Sequence, residues 1–464
     1  MASAEGSSLL KLVSLITNAT AIVEEHFKAT SKPYVPSLND TEPHPLDTKP
    51  YDSELRKAVQ TIEAACAQLC ATVAKPISSA INLIAPHCLN VALKFKIADV
   101  LLNEPNGMHI NDLSRKLGLD PNKLGRILRL LATKHVFREV THNVFANNRI
   151  SVQYLSSNPV WSFGIHFTGV TGQCSSELTN VLKDPEWGPS LDPRKTALNK
   201  YTGFDGDLFE FFEGGTPEGA MVGAQFGIAM IGWGNVTEAG SVVHGYPWDK
   251  LPEGASVCDV GGGIGNITLQ LAKAHPHLKL KLQDIPERIR QAKDVVWPKS
   301  CPEAIETDRI EFKAIDFFVD PPIPGCDVYY LKNIIHDWSD NDCIKILRGV
   351  RKAMSPHSRV LIQEFVMQHA SRASQSTKNG TESIPFQPEA PEPLLPNYGA
   401  GRIRQYVLDI HMLALLNAQE RPLEELIRLA KEADLEFVKL WEIGEMAAVE
   451  FRPGPGSTEV IVEA

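Results

Sequence analysis

The residue types best suited to proton transfer in this chain are one histidine and two glutamates, each placed after an apolar segment or helical pattern. His336 follows the predicted strand 326–332, Glu364 lies near the end of the predicted strand 358–366, and Glu420 lies between two helical patterns. A histidine, whose ordinary pKa is about 6.5, can accept a proton at neutral pH, and carboxylates can orient its ring. The sequence therefore predicts His336 as a general base with Glu364 and Glu420 beside it. Two structural alternatives stay open: His336 has no catalytic role, or Glu420 only interacts with the dipole of the following helix.

A second candidate site is a glycine-dense turn between a predicted buried strand and a helix. The turn has the sequence Asp-Val-Gly-Gly-Gly-Ile-Gly from Asp259 onward, and the next apolar strand leads to Asp284. A strand, a glycine loop, a helix and a strand ending in a carboxylate together predict a nucleoside-binding βαβ unit. Because glycine has no side chain, the backbone at Gly261, Gly263 and Gly265 can approach a ligand closely, and Asp284 can accept both ribose hydroxyls. The alternative is a glycine-rich turn without a ligand.

The glycine spacing distinguishes between two classes of ligand. A dinucleotide site has the pattern Gly-x-Gly-x-x-Gly, in which the pyrophosphate lies on the helix N-terminus. Counted from Gly261 the third glycine would be Asn266, and counted from Gly263 it would be Thr268, so neither pattern is complete. The complete pattern, Asp-x-Gly-x-Gly-x-Gly, resembles the S-adenosylmethionine loop of Rossmann-like methyltransferases, whose ligand has no phosphate. The sequence therefore favours S-adenosylmethionine over a nicotinamide cofactor and disfavours a reductase.

Composition and charge disfavour several other classes of protein. The chain has 464 residues, of which 43% are hydrophobic and 22% charged, as expected for a globular protein of two or three domains. The net charge of −10 disfavours nonspecific binding to nucleic acid. The eight cysteines lack the paired spacing of a zinc site, and neither a secretory signal nor an apolar run of about 18 residues is evident. We therefore expect a reduced, cytoplasmic protein without a metal site that binds neither membranes nor nucleic acid.

The N-terminal part of the chain is predicted to be helical. Residues 1–77 form an extension with two amphipathic helix patterns, 8–30 and 52–74, on either side of a proline-rich linker at 32–51. Neither helix can bury its apolar face alone, so packing on a partner subunit is one way to cover it.

Residues 78–155 are predicted to form a compact winged helix. Asn111 or Asp112 is expected to cap one helix, Asp120 and the proline after it are expected to open the next, and a β-hairpin around 141–142 follows. The second helix has three basic residues, which leaves DNA binding open as an interpretation. The acidic charge of the whole chain disfavours it.

The rest of the chain is divided between a connecting region and a predicted α/β domain. Residues 156–250 are rich in aromatic residues and glycine and are expected to contribute to a substrate pocket, with Phe226 and Met230 among its residues. From 251 to 455 strands and helices alternate, which predicts a largely parallel sheet. The predicted elements are strands at 256–261, 278–283, 309–315, 326–332, 358–366, 436–443 and 446–452, and a helix at 421–434. The stretch 368–402 has no periodicity and is predicted to be a flexible insertion.

Three motifs together resemble the plant caffeic-acid and flavonoid-type O-methyltransferases and their fungal relatives. They are the glycine loop, the His-Asp-Trp-Ser-Asp segment that begins at His336, and the Glu-Arg pair that begins at Glu420. The resemblance covers residues 78–455, and the class needs no metal ion. It implies an α/β, Rossmann-like methyltransferase domain that binds S-adenosylmethionine, an N-terminal α-helical winged-helix domain, and a homodimer formed through that domain. The implied reaction is methylation of a phenolic hydroxyl on a small aromatic substrate of secondary metabolism.

The resemblance also implies roles for individual residues. His336 is the base that deprotonates the phenolic hydroxyl, Glu364 and Glu420 flank it, and Asp337 helps to position the substrate. The residues on the cofactor side are Asp259, Gly261, Gly263, Gly265, Asp284 at the ribose, Asp316 and Phe317 at the adenine, and Lys332. The other residues on the substrate side are Phe226, Met230, Asn333, Asp409, Met412 and Asn417. Plant members often have a tryptophan where this chain has Asn333, so the acceptor and the methylated position stay open.

One alternative of another class also stays open from the sequence. A non-catalytic winged-helix transcriptional regulator that senses S-adenosylmethionine would contain the same glycine loop. It would require a basic recognition face and sequence-specific DNA binding, which a gel-shift assay detects.

Overall fold

The chain folds into two compact units. The computed structural model describes residues 8–73, 86–372 and 388–455. The helical unit consists of the described residues up to Asn180, Ala197–Val236 and Ala390–Arg402. The sheet unit consists of the described residues of Val181–Thr196, Thr237–Glu389 and Ile403 onward. The candidate catalytic residues all lie in the sheet unit.

The elements are labelled in chain order. The α-helices are α1 (Ser8–Lys28), α2 (Ser53–Val73), α3 (Pro86–Lys94), α4 (Ile97–Val100), α5 (Ile110–Leu117), α6 (Pro121–Thr133), α7 (Pro159–Thr168), α8 (Val170–Gln173), α9 (Leu178–Lys183), α10 (Ala197–Thr202), α11 (Leu208–Glu210), α12 (Pro217–Val236), α13 (Val242–Gly245), α14 (Asn266–Ala274), α15 (Pro286–Gln291), α16 (Trp297–Ser300), α17 (Pro302–Glu306), α18 (Asp340–Ala353), α19 (Ile403–Leu416) and α20 (Leu423–Glu432). The strands are β1 (Met108–His109), β2 (Arg138–Thr141), β3 (Val144–Ala146), β4 (Ser256–Val260), β5 (Lys279–Asp284), β6 (Ile310–Ala314), β7 (Val328–Lys332), β8 (Arg359–Glu364), β9 (Val366–Met367), β10 (Arg421–Pro422), β11 (Leu435–Glu442) and β12 (Ala447–Pro453). Short 3₁₀ or π turns lie at Pro45–Thr48, Ser151–Tyr154, Cys174–Glu177, Phe211–Gly215, Ala239–Ser241, Trp248–Lys250, Ala292–Val296, Ile335–Asp337 and Gly399–Arg402.

The two N-terminal helices pack against a segment that is distant in sequence. The buried apolar cluster between them is formed by Leu12, Ala64, Ala65, Ala390, Leu394 and Tyr398. Gly401 lies close to α2, where a β-carbon would be 2.3 Å from the carbonyl oxygen of Gln60. The prediction of a flexible insertion over 368–402 is therefore wrong for 388–402, because apolar side chains of that segment are buried. The part at 373–387 lies outside the described residues, as do residues 74–85 of the N-terminal prediction.

The winged helix predicted from the sequence is confirmed, with one added strand. Strands β1, β2 and β3 form an antiparallel sheet in the order β1-β3-β2. The sequence predicts the hairpin but not β1, because two residues are too few to show an alternating pattern. The carboxylate of Asp120 caps α6 by accepting from the amide of Lys123. The predicted cap of the preceding helix, Asn111 or Asp112, is wrong, because the ring of His109 accepts from the amide of Asn111 and α5 begins earlier.

The sheet unit is built on seven strands in the order β11-β12-β8-β7-β4-β5-β6. The five strands from β8 to β6 are parallel, and β12 and β11 continue the sheet in antiparallel pairs. The ends of all seven strands agree with the predicted ones to within two residues. The predicted α/β, Rossmann-like fold is therefore confirmed.

The order of the strands determines where a ligand site can form. From β4 the chain adds β5 and β6 on one side and then crosses to β7 and β8 on the other. Open parallel sheets bind ligands beyond the carboxyl ends of their strands at such a switch point. The glycine loop follows β4, and the turn of His336 follows its direct neighbour β7. The topology therefore brings the two motifs to the same edge of the sheet.

A small parallel sheet of β9 and β10 lies beside this edge. It pairs Val366 with Arg421, so that the segments after Glu364 and Glu420 run side by side. The helix predicted over 421–434 therefore begins later, at Leu423, because the two residues before it are extended in β10.

Two further searches cover the part of the chain that the structure describes. Within it, no helix is long and apolar enough to cross a membrane. Within the same residues, no group of three or more histidine, cysteine, aspartate or glutamate side chains is arranged to hold a metal ion.

Candidate active site

The glycine loop after β4 is built from residues with a left-handed backbone. Gly261, Gly263 and Gly265 have φ values of 74°, 61° and 86°, which residues with a side chain rarely adopt. At Gly261 a β-carbon would lie 2.4 Å from Cδ1 of Ile334, so this position also lacks room for a side chain. At Gly263 no atom lies within 4 Å of the position of a β-carbon. The loop therefore exposes its backbone to a ligand at Gly263.

Two carboxylates contact this loop in different ways. Asp284, at the end of β5, is half-buried and accepts a hydrogen bond from the amide of Gly263 at 2.7 Å. Burial raises the pKa of Asp284. Asp259, in β4, is buried and accepts from the hydroxyl of Thr268, and burial raises its pKa to about 6. Asp284 is therefore accessible beside the loop, whereas Asp259 supports the loop from within the sheet.

The turn after β6 contains the two residues predicted to lie at an adenine. The ring of Phe317 approaches the glycine loop, since a β-carbon at Gly261 would be 3.7 Å from it. The same ring packs edge-on against Trp338, with 6.0 Å between the ring centroids. Asp316 is exposed and accepts from the amide of Phe318 at 3.0 Å. The structure therefore brings Phe317 next to the glycine loop and leaves the carboxylate of Asp316 facing solvent.

Lys332 and Asn333 form the end of β7. Burial lowers the pKa of the Lys332 ammonium, and the carboxylate of Asp259 opposes this effect. Asn333 has a left-handed φ of 54°, and its amide donates to the carbonyl of Gln363 at 3.2 Å. The side-chain oxygen Oδ1 of Asn333 is buried and has no hydrogen-bond partner in the structure. A buried acceptor of this kind is suited to a donor group on a ligand.

The turn Ile335–Asp337 places His336 between two carboxylates. Its Nδ1 lies 2.6 Å from Oε1 of Glu420, and its Nε2 lies 3.5 Å from Oδ1 of Asp337. Both His336 and Glu420 are buried. Burial lowers the pKa of His336, but the charges of Glu420 and Asp337 outweigh burial and raise it to about 10. Because a carboxylate only accepts hydrogen bonds, Nδ1 bears a hydrogen, and the neutral ring has its lone pair on Nε2.

Glu364 contacts the backbone of this turn rather than the ring. Its Oε1 accepts from the amides of Ile334, Ile335 and His336 at 3.1, 2.6 and 3.1 Å. Burial raises the pKa of Glu364 to about 7. Of the two glutamates expected to orient the imidazole, Glu420 makes the ring contact and Glu364 fixes the turn.

The three candidates from α19 and its end differ in their contacts. Asp409 accepts from the amide of Glu420 at 2.9 Å, so it supports the glutamate that contacts His336. Asn417 donates from its side-chain amide to the carbonyl of Asp192 at 2.8 Å. Met412 is buried. Both Asp409 and Asn417 therefore form hydrogen bonds within the protein. The predicted substrate roles of these two residues did not include such bonds.

The two remaining candidates lie on α12 in the helical unit. The ring of Phe226 packs against Phe212 and His166, with centroid distances of 4.8 and 5.6 Å. Burial lowers the pKa of His166 to about 4, so that ring is neutral. Met230 is half-buried one turn further along the same helix. Phe226 therefore belongs to an aromatic cluster within the helical unit.

Comparison with known proteins identifies the family. A family model described as an O-methyltransferase domain matches residues 239–389, and one described as an O-methyltransferase dimerisation domain matches 78–157. Over 453 residues the chain is 43% identical to 3-O-methyltransferase 2 of Phanerochaete chrysosporium, covering 96% of this chain and 98% of that one. This chain belongs to the O-methyltransferase family.

Two further proteins agree with this assignment. The O-methyltransferase gedA of Aspergillus terreus is 34% identical, over 84% of this chain and 85% of its own. The solved structure of CalO1, a methyltransferase in calicheamicin biosynthesis with bound S-adenosylhomocysteine, has a TM-score of 0.60 and 25% identity. The alignment covers 82% of this chain and 97% of CalO1.

As an O-methyltransferase, the chain is an enzyme, and S-adenosylmethionine is its methyl donor. The residues at the glycine loop fit this cofactor. Gly263 has open backbone, the carboxylate of Asp284 would suit ribose hydroxyls, and the ring of Phe317 has an apolar face that would suit an adenine. The alternative of a non-catalytic regulator has no support from these findings.

Arg421 is a residue near the site of this O-methyltransferase to which the sequence gives no role. It is buried, and its guanidinium donates to the carbonyls of Ile335 and Trp338 at 2.8 Å each. The Glu-Arg pair marks the position in the sequence, but the partners of the arginine are more than 80 residues away. Only the folded structure shows that this side chain reaches the turn of His336.

Proposed function

We propose that this O-methyltransferase methylates a phenolic hydroxyl of a small aromatic substrate of the secondary-metabolite type, with His336 as the general base. The proposed proton acceptor is the imidazole, and the reaction as proposed needs no metal ion. The observation that supports this most directly is the 2.6 Å contact between Nδ1 of His336 and Glu420, which leaves Nε2 as the basic nitrogen.

The electrostatics of the pair suit a phenol as the acid. Phenolic hydroxyls have a pKa of about 10, and the carboxylates around His336 raise its pKa to about 10. Because the neighbouring carboxylates stabilise the imidazolium, transfer of a phenolic proton to neutral His336 costs less free energy than transfer to an ordinary imidazole. An aliphatic alcohol, with a pKa several units higher, would not be deprotonated to a comparable extent.

When bound, the cofactor would supply an electrophilic methyl group on a sulfonium, with a neutral thioether as the leaving group. Nε2 of His336 would take the phenolic proton and hold it, so that the acceptor oxygen is a phenolate. Gly263, Asp284 and Phe317 would bind the cofactor, and the fixed turn of His336 would hold the base at the acceptor oxygen. Alignment of this kind is a large source of rate acceleration in transfer reactions.

The acceptor class and the assembly are also part of the proposal. The name of the Phanerochaete relative, a 3-O-methyltransferase, supports a hydroxyl oxygen as the acceptor atom. In the sheet unit, the unbonded Oδ1 of Asn333 and the carboxylate of Asp337 beside His336 support contacts to the substrate. The substrate role of Phe226 and Met230 stays a prediction from the sequence, and the aromatic cluster around Phe226 in the helical unit is consistent with an aromatic substrate. The match of residues 78–157 to a dimerisation domain supports a homodimer.

The test is turnover of His336→Gln against a panel of phenols, with His357→Gln as the control. His357 is exposed, and its substitution should leave turnover unchanged. We expect His336→Gln to lose about 10²-fold or more in kcat, with S-adenosylhomocysteine affinity by calorimetry within about twofold of the wild type. Full turnover in a folded His336→Gln protein would refute the base assignment.

A further inference from the structure

The side chain of Arg421 is bound to the segment that contains His336. Its Nη1 donates to the carbonyl of Ile335 and its Nη2 to the carbonyl of Trp338, both at 2.8 Å. The same guanidinium contacts the carboxylate of Asp340, at 3.3 Å from Nε and 2.9 Å from Nη2. One buried side chain thus bonds to the residues on both sides of His336 and Asp337.

The turn of His336 is therefore fixed from two sides by groups of opposite charge. Glu364 accepts from the amides of Ile334, Ile335 and His336. Arg421 donates to the carbonyl of the first residue of the turn, Ile335, and to that of Trp338, which follows the turn. The two fixing residues are themselves connected, because Arg421 pairs in β10 with Val366, two residues after Glu364. With both backbone donors and acceptors bonded, the turn has little freedom to rotate.

Arg421 also follows the glutamate that contacts the imidazole. The amide of Glu420 is bonded to Asp409, and its carboxylate lies 2.6 Å from Nδ1 of His336. The backbone of Arg421 thus continues from one member of the catalytic pair, while its side chain bonds to the turn that contains the other. Arg421 therefore links the two members of the pair directly.

We propose that Arg421 is a positioning residue that sets the geometry of the His336–Glu420 pair by bonding the turn Ile335–Asp337 to the segment of Glu420. The inference rests on the proposed function, in which His336 is the base. Arginine is suited to this role because its planar guanidinium donates in several fixed directions at once, to two carbonyls and one carboxylate. Lysine retains the charge but has a single ammonium on a flexible stem and cannot reproduce that geometry.

The main experiment substitutes Arg421→Lys and measures kcat, the KM of a phenolic acceptor, S-adenosylhomocysteine affinity and the pH profile of kcat/KM. We expect kcat to fall by about 10- to 100-fold, as for a catalytic group displaced by about an ångström. Cofactor affinity should change by less than about twofold, because Arg421 does not contact the glycine loop. The pH profile of kcat/KM should level off at a lower pH than in the wild type. A longer His336–Glu420 distance weakens the stabilisation of the imidazolium and so lowers the pKa of His336.

The pH profile distinguishes positioning from general structural support. The charged groups that face His336 are Glu420, Asp337 and Glu364, and Lys332 lies near the last two. None of these is altered by Arg421→Lys, so a shifted profile reports a changed distance within the catalytic pair. Wild-type kcat and a wild-type pH profile of kcat/KM in Arg421→Lys would overturn the inference. A loss of kcat that is accompanied by similar losses of cofactor affinity and thermal stability would also overturn it.

The chain offers a matched control in Arg428. This arginine also bonds to the carboxylate of Asp340, but its side chain is half exposed and it bonds to neither carbonyl of the turn. Arg428→Lys should leave kcat and the pH profile within about twofold of the wild type. A loss as large as that of Arg421→Lys would assign the effect to the charge cluster at Asp340 and overturn the inference.

A second variant keeps the inference testable if Arg421→Lys does not fold. Asp340→Asn removes the carboxylate that holds the guanidinium through two nitrogens and leaves the turn carbonyls in place. We expect a smaller shift of the pH profile of kcat/KM in the same direction, whereas an unchanged profile would overturn the inference.

The His336→Gln variant distinguishes failure of the inference from failure of the proposed function. If His336→Gln retains full turnover, the proposed function fails as well. If His336→Gln is inactive and Arg421→Lys is normal, only the positioning role fails.

Discussion

The glycine loop and the turn of His336 lie at neighbouring strand ends but are built on different principles. The loop is formed by consecutive residues, and its shape comes from three left-handed glycines. Its amides join it to β5, those of Gly261 and Gly262 through the carbonyl of Gln283 and that of Gly263 through the carboxylate of Asp284. The turn of His336 takes its shape from side chains of Glu364 and Arg421 and its chemistry from Glu420. Both sites are therefore held in place, but the first is held by backbone conformation and the second by buried charges.

This difference predicts different sensitivities. A loop shaped by glycine conformation responds mainly to changes of conformation and space, because its peptide groups do not titrate, although the carboxylates of Asp259 and Asp284 beside it do. A site made of buried charges responds to pH and to the loss of one charge, because each charge stabilises or destabilises its neighbours. Substitutions in each region should therefore alter one measured property and leave the other unchanged.

The largest effect is expected from Glu420→Gln. In the wild type, kcat/KM should rise with pH through the neutral range, because neutral His336 is the reactive form and its pKa is about 10. Loss of the Glu420 charge lowers that pKa, so the profile of Glu420→Gln should level off at a lower pH. The ratio of the wild-type kcat/KM to that of Glu420→Gln should grow from pH 7 to pH 10 and reach about 10²-fold at pH 10.

The control for this prediction is Glu424→Gln. Glu424 lies in the first turn of α20 with a half-exposed side chain that pairs with His369. Its substitution should leave the profile unchanged. Identical midpoints of the pH profiles of Glu420→Gln and the wild type would show that Glu420 does not set the pKa of the base.

A smaller effect is expected from Gly263→Val in the glycine loop. A valine there combines a left-handed φ of 61° with a side chain in the space left open at the loop, so S-adenosylhomocysteine affinity should fall by about tenfold or more. The pH profile of the remaining kcat should keep its wild-type midpoint, because the charges at His336 are unaltered. Calorimetric titration and pH–rate measurements on the same preparation test both statements.

Gly118→Val separates strain from lost binding. Gly118 ends α5 with a similar φ of 69°, and no atom lies within 4 Å of the position of a β-carbon. The two variants should therefore lose similar thermal stability, while only Gly263→Val loses cofactor affinity. Equal losses of affinity in both would show that the loop has no special role in binding.

The same contrast explains what the sequence could and could not predict. The glycine loop can be predicted from the sequence because consecutive residues determine it. The strands of the main sheet can be predicted because apolar segments alternate with helical patterns. The role of His336 as a candidate follows from its place after β7. The different contacts of Glu364 and Glu420 could not be predicted from the sequence. They depend on which of the two carboxylates, distant in sequence from His336, faces the imidazole ring and which faces the backbone amides.

The features that the sequence did not predict also depend on contacts between residues that are distant in the chain. Arg421, to which the sequence assigns no role, contacts the turn of His336 through backbone carbonyls, and a contact to the backbone cannot be inferred from the residue types on either side. The segment 388–402 has the composition of a loop, yet its few apolar residues are buried against α1 and α2. Burial by distant helices is a tertiary effect, and a local pattern does not contain it.

The smallest effect is expected on stability, from Glu364→Gln. Burial raises the folded-state pKa of Glu364 from 4.5 to about 7. A group with a raised folded-state pKa contributes its full stability below the unfolded-state pKa and loses it as pH rises through the folded-state value. Glutamine does not titrate and its carbonyl can still accept from the amides of the turn. The melting temperature of the wild type should therefore fall relative to that of Glu364→Gln between pH 5 and pH 8, by a few degrees (roughly 2 to 4 °C per kcal/mol).

Other buried carboxylates of the site do not obscure this comparison. Asp259 and Asp337, whose pKa values burial raises to about 6, are present in both proteins, so their contributions cancel in the difference. Glu424→Gln, an exposed substitution, should follow the wild type across the same range. A constant offset between the wild type and Glu364→Gln would mean that Glu364 stays ionised throughout. The turn of His336 would then be fixed by a charged carboxylate throughout this pH range.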